Sequence, residues 1–150
     1  MDHTDLAILS ELDKNSRATV SEISKNVSLS TPAVSERIKK LEEAGIIEQF
    51  TMKLNHNKMD LSLMAFVFVS LKGGASIPQF RESILSFPEV LECHHIAGEY
   101  DYLLKVILKN TQELEQFISK RLKGIFSVQK TNTLINLSTI KSDLNRIDRP

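Results

Sequence analysis

Between Thr19 and Gly45, apolar residues recur at helical spacing in two short bursts, Val20, Ile23 and Val27, then Val34, Ile38 and Leu41. The gap between them is Ser28-Leu29-Ser30-Thr31-Pro32, so the stretch predicts a helix, a tight turn and a second helix. The second helix has the stronger start signal. Ser30 or Thr31 can accept from the orphan N–H groups of a first turn, and Pro32 suits a position whose N–H would be unpaired anyway. Gly45 supplies the stop. On a helix from Pro32 to Ala44, Val34, Ile38 and Leu41 share one face; Pro32, Ser35, Glu36 and Lys39 lie roughly opposite, with Arg37 and Lys40 on the flanks. Upstream, Leu6, Ile8, Leu9 and Leu12 mark a first helix over residues 4–14, with Thr4 as its cap and Asn15-Ser16 as its break. Three helices of this size form a small helix-turn-helix domain.

After Gly45 the period changes. The run from Ile46 to Leu54 is rich in β-formers and partly alternating, which predicts a strand or short hairpin and makes the unit winged. The polar Asn55-His56-Asn57-Lys58 begins a linker. From Met64 to Lys72 the chain reads as a strand ended by Gly73-Gly74; Ile77, Phe80, Ile84 and Phe87 mark a helix that stops at Pro88. Val90 to Ala97 is a second strand, Gly98-Glu99-Tyr100-Asp101 a turn, and Tyr102 to Leu108 a third strand. Asn110-Thr111-Gln112-Glu113 has the form of a capping box before Leu114, Phe117, Ile118 and Leu122; Gly124 ends that helix, and Val128 to Leu137 makes a fourth strand. The order βαββαβ predicts a four-stranded antiparallel sheet with both helices on one face, the ferredoxin-like arrangement. The chain is thus α+β, with a helix-turn-helix domain over 1–54, a linker over 55–63 and a βαββαβ domain over 64–150. Two helices cover one sheet face only, so the face carrying part of the FVFV run is expected to be buried by a second copy.

Composition narrows the classes. With 41% hydrophobic and 25% charged residues in 150, the chain can bury a core and stay soluble. No apolar run reaches the roughly 18 residues that a membrane helix needs, and the first residues carry acids where a secretory signal carries bases. A cytoplasmic protein without a membrane partner is expected. Cys93 is the only cysteine, which rules out an internal disulfide. The net charge of zero argues at first against nucleic acid, but distribution matters more: residues 17–40 hold five Lys/Arg against two Glu. A basic stripe on a neutral body can bind DNA with strongly salt-dependent affinity, and a modest stripe calls for several copies acting together. An ordinary two-helix corner with a solvated charged face remains the alternative.

The whole chain resembles the Lrp/AsnC, or feast/famine, family of transcriptional regulators. The marks are D-x-x-D-x-x-I-L-x-x-L from Asp2 to Leu12, the following Arg17, S-x-x-x-V-x-x-R-I-x-x-L-E-x-x-G-I-I from Ser30 to Ile47, and I-A-G-E-Y-D-Y from Ile96 to Tyr102. The resemblance implies double-stranded DNA as a partner, contacted by Ser30, Thr31, Pro32, Ser35, Glu36, Arg37 and Lys40. Ser30, Thr31 and Arg37 would position the backbone, and Ser35 and Glu36 would read bases. Arg37 has a second reading, as a brace paired with an acid such as Glu11. The resemblance also implies an amino-acid effector at Gly98, Glu99, Tyr100 and Asp101, with Thr131 and Thr133 as weaker candidates, and assembly into dimers and an octamer. In chemical terms, exposed N–H groups can receive a carboxylate and Asp101 can pair an ammonium. A plain hairpin turn is the alternative.

One departure stands out: Asp60 occupies a place where the family usually has Gly. Two other classes compete. One is an architectural protein that bends or wraps DNA with little sequence preference. The other is an enzyme resembling tetrapyrrole decarboxylases of the same layout, suggested by His94 and His95. Those two point to opposite faces of one strand, so they do not readily ligate one ion. No nucleophile–base set or phosphate loop is recognisable, so no catalysis, cofactor or metal is expected.

Overall fold

The computed structural model describes residues 1–73 and 77–147. Two compact units emerge, Met1–Leu54 together with the chain from Lys141 onward, and Asn55–Ile140. The sequence assigns everything after residue 63 to the second unit, whereas the segment from Lys141 clusters with the first. Within that unit, Lys53 Nζ donates to the Ser142 carbonyl and Asn145 Nδ2 to Asp13 Oδ1 at 2.8 Å.

In the first unit, α1 (His3–Lys14), α2 (Val20–Asn26) and α3 (Thr31–Glu43) bury Ile8, Leu12, Ile23 and Val34 against one another. Each helix starts on a side-chain cap. Asp2 caps α1 two residues earlier than the expected Thr4, because Asp5 three residues on returns the bond: Asp5 N donates to Asp2 Oδ1 at 2.8 Å and Asp2 N to Asp5 Oδ2 at 2.9 Å. Thr19 and Glu22 form the same reciprocal box on α2. Ser30 caps α3, with Pro32 in the first turn. The α3 end is a Schellman motif: Gly45 adopts φ 68°, its N–H reaches the Glu42 carbonyl and that of Ile46 reaches Leu41, each at 2.9 Å. The α2–α3 turn passes through Ser28 at φ 56°.

The expected strand or hairpin over Ile46–Leu54 is not formed; no strand is found there. Its β-formers have no neighbouring strand in this unit with which to build a ladder, and a lone strand in water is not stable.

The second unit opens with a 3₁₀ turn, His56–Met59, that leaves through Asp60 in the left-handed region at φ 59° and ψ 22°. The turn that glycine would make easily is thus made by aspartate, a residue whose short polar side chain tolerates it. Then follow β1 (Leu63–Leu71), α4 (Ile77–Leu85), β2 (Val90–His95), β3 (Tyr102–Leu108), α5 (Thr111–Gln116) continuing as a π-helical turn over Phe117–Leu122, and β4 (Val128–Ile135). Gly74, expected to end β1 with Gly73, lies outside the described residues. The Asn110 box is partly realised: Asn110 Oδ1 accepts from Glu113 N, while the Glu113 carboxylate turns to Lys109 N at 2.6 Å.

The sheet order is β2-β3-β1-β4, antiparallel throughout. Along β1, Ala65, Val67, Val69 and Leu71 are buried with Phe80 and Ile84 of α4 and with Leu114, Phe117 and Leu122 of the last helix. The alternate residues Met64, Phe66 and Phe68 stay half-buried on the other face, which no helix among the described residues covers. Register puts Leu103, Lys105, Asn132 and Leu134 on that open face too.

Candidate nucleic-acid interface and ligand loop

Helix α3 is held by its apolar side and offers the rest. Val34 and Leu41 are buried, whereas Ser30, Thr31, Pro32, Ser35, Glu36, Lys39 and Lys40 are exposed. The start of the helix is shaped by local bonds, since Ser30 Oγ accepts from Ala33 N at 3.4 Å and Thr31 Oγ1 lies 3.5 Å from Ser24 Oγ. A narrow helix with small polar side chains at its amino end is what a major groove admits.

The cations of α3 are all paired with carboxylates. Lys40 Nζ lies 2.8 Å from Glu36, and that contact holds the Glu36 carboxyl below its usual range. Lys39 lies 3.6 Å from Glu43. Arg37 Nη1 donates to Asp5 Oδ1 at 2.6 Å and to Asp2 Oδ2 at 2.8 Å. The bracing partners are therefore Asp2 and Asp5, not Glu11, which instead binds Lys14 and Asn26. The hydrogen bonds from Asp5 and Asp2 raise the Arg37 pKa further above its ordinary value. For Asp2, the bond from the Asp5 backbone N–H acts first and Arg37 second, and its carboxyl lies below the usual carboxylate range.

The loop Gly98–Asp101 is fixed to the end of β1. Asp101 N donates to the Val69 carbonyl at 3.0 Å, Asp101 Oδ2 accepts from Leu71 N at 2.7 Å, and Ile96 N closes the hairpin on the Asp101 carbonyl at 2.9 Å. Oδ2 thus ties the loop to the backbone at the end of β1. Gly98 is not in the left-handed region, and a Cβ built there would meet nothing within 4 Å. The turn by itself does not require glycine at this position; a group approaching the backbone would.

Two residues that the sequence reading missed join this loop. Lys130 Nζ pairs with Glu99 at 2.9 Å and sits 5.1 Å from the Tyr100 ring centroid, while the Phe68 ring lies 5.4 Å from Tyr100. The Glu99 and Tyr100 contacts raise the Lys130 pKa. Only the β1–β4 pairing brings Lys130 to the loop, across 31 residues of sequence, so no local signal marked it. Thr131 and Thr133 do not share its side of the sheet. They stand opposite Val69 and Val67, which places them on the helix-covered face, whereas Tyr100 packs on Phe68 of the open face.

The two histidines separate as alternation requires. His94 lies 3.1 Å from Glu92, which also binds Lys105 at 2.8 Å, whereas His95 stacks on Tyr102 at 5.0 Å. Among the described residues, no group of three or more His, Cys, Asp or Glu side chains is placed to hold a metal ion, and no helix is long and apolar enough to cross a membrane. Burial pushes the Cys93 thiol up, against the opposing effect of Arg81.

Known proteins share both halves. A winged helix-turn-helix DNA-binding model matches residues 1–48, and the Lrp/AsnC ligand binding domain matches 64–145. An uncharacterised HTH-type transcriptional regulator of Pyrococcus furiosus is 38% identical over 146 residues, covering 96% of this chain and 97% of the relative. The leucine-responsive regulatory protein of Escherichia coli is 34% identical over 149 residues, covering 98% and 90%. Among solved structures, a Neisseria meningitidis transcriptional regulator in complex with L-Met superposes with TM-score 0.93 at 34% identity, over 96% of this chain and 94% of the other. Escherichia coli AsnC superposes with TM-score 0.89 at 25% identity, over 100% and 99%. With a helix-turn-helix unit, a βαββαβ unit and relatives of this likeness across nearly its whole length, the chain belongs to the Lrp/AsnC family of DNA-binding transcriptional regulators.

Proposed function

We propose that this regulator reads its DNA sites through the exposed face of α3 and changes that reading when an amino acid binds at the Gly98–Asp101 loop. One observation carries the DNA part: the side of α3 away from Val34 and Leu41 presents Thr31, Pro32, Ser35, Glu36 and Lys40 together. Ser35 and Glu36 read base edges, and Ser30, Thr31 and Lys40 contact the backbone. A second copy covers the open sheet face, and two heads then address half-sites about 10 base pairs or a multiple apart. Higher assembly, up to an octamer, sets the spacing of the heads. An amino acid shifts that assembly only by binding one state better than another.

An amino acid is the class to test first because the Neisseria regulator was solved with L-Met. At the loop, backbone N–H groups take its carboxylate and Asp101 Oδ1 its ammonium. The protein works in the cytoplasm and carries out no catalysis; tetrapyrrole absorbance in the purified material would speak against this.

The test is DNA binding by the full chain across a salt series, with a pool of genomic fragments. Wild type selects a subset of fragments, and Ser35→Ala/Glu36→Ala loses that selection. Gly98→Ala keeps the selection and removes its response to added amino acids. Selection retained by the Ser35/Glu36 variant contradicts the reading of α3. Even wrapping of every fragment by wild type points to the architectural alternative.

A further inference from the structure

The sequence offers Arg37 as a backbone contact for DNA. The structure gives that guanidinium two carboxylates, from Asp2 and Asp5, through a single nitrogen. Those acids are also the two members of the capping box that starts α1. One set of bonds therefore fixes the beginning of α1, the side chain of Arg37 and the roll of α3 about its axis. Arg37 is a third exposed and Asp5 only 15%, so the pair sits in the groove between the helices and not out on the reading face.

We propose that Asp2 and Asp5 are positioning residues for DNA reading, and that Arg37 transmits their hold to α3 and does not contact phosphate. This rests on the reading that α3 faces DNA. The triad of two aspartates and one arginine carries net negative charge, so it adds nothing to non-specific attraction for DNA. Its contribution is orientation: base edges are read only when Ser35 and Glu36 arrive at the right angle, whereas phosphates attract cations at many angles. Losing the triad should therefore lower selection between DNA sequences and leave non-specific binding intact.

The alternative is a phosphate-contacting Arg37 that the acids merely shield. Asp2→Asn/Asp5→Asn separates the two, because asparagine caps a helix as well as aspartate does and α1 stays capped. Under the proposal this variant loses about tenfold of the preference for a selected fragment over a random one, the scale of one lost charge-assisted contact. Arg37→Gln does the same with an unchanged salt slope, and adding it to the double variant causes no further loss because all three act as one unit. Under the alternative, Asp2→Asn/Asp5→Asn binds both DNAs more tightly with unchanged preference, and Arg37→Gln lowers the log–log salt slope by about 0.9. Either of those results overturns the proposal. Ser35→Ala/Glu36→Ala, run in parallel, isolates the underlying reading: if that variant keeps wild-type preference, α3 is not the reader and the positioning role falls with it.

Discussion

The two units hold themselves together by different means. Among the described residues, the buried cluster of the first is Ile8, Leu12, Ile23 and Val34, and its helices depend on caps and ion pairs at their ends. The second buries a continuous layer running from Ala65 through Phe80, Leu104 and Phe117 to Ile125 between sheet and helices. A small helical unit has little interior to bury, so polar contacts at its helix ends carry a larger share of its stability. The helix-turn-helix unit thus leans more on bonds at its rim, and the sheet unit more on packing.

The largest effect that would break this contrast lies in the sheet unit. Phe80→Ala removes a ring that is fully buried and packed 4.8 Å from Tyr102, and should cost roughly 3–5 kcal/mol in chemical denaturation. Ile23→Ala in the first unit should cost less, roughly 2–4 kcal/mol, because a small cluster relaxes more readily around the space left. That loss is still enough to melt α1–α3 ahead of the sheet, visible as two separate transitions in place of one.

Caps come next. Thr19→Ala removes the hydroxyl that accepts from Glu22 N and should cost about 1 kcal/mol, read as a lower melting temperature for the helical transition alone. Smaller still, and of opposite sign, Ser28→Gly relieves a left-handed φ of 56° and should stabilise the first unit by about 0.5–1 kcal/mol. Asp60→Gly at φ 59° should gain less, since aspartate tolerates that region better than serine.

The smallest effect is with pH, because the groups are exposed and solvent-screened. Asp2, Glu11, Glu22 and Glu36 in the first unit all lie below their ordinary values, with Glu92 the corresponding carboxylate in the second. A carboxyl with a depressed folded-state pKa stabilises fully above its unfolded value, and that contribution disappears as pH falls through the folded one. Acid titration below about pH 4 should therefore loosen the helical unit before the sheet, followed by circular dichroism alongside the ring signals of Phe80 and Tyr102.

Much of this arrangement was legible in the sequence, and the omissions have a common cause. Local signals placed α3 through Ser30, Pro32 and Gly45, and the Gly98–Asp101 turn before an apolar run placed β3 from Tyr102 to Leu108. Asp60 was visible as a departure and proved to be a left-handed turn residue. What local pattern could not supply was partnership across distance. Arg37 meets acids 32 and 35 residues away, Lys130 meets Glu99 across 31, and Asp101 accepts from Leu71 across 30. Ile46–Leu54 failed in the opposite sense: it has the composition of a strand but no partner in its unit. The threonines of β4 entered as weaker candidates from the family resemblance, and only the register puts them on the helix side.

The most direct test of the account is hydrogen exchange on the full chain, free, with a selected DNA fragment, and with an amino acid that alters binding. The account predicts new protection over Thr31–Glu43 with DNA and over Ile96–Tyr102 with the amino acid. DNA-induced protection confined to the sheet unit, with α3 exchanging as in the free protein, would contradict it.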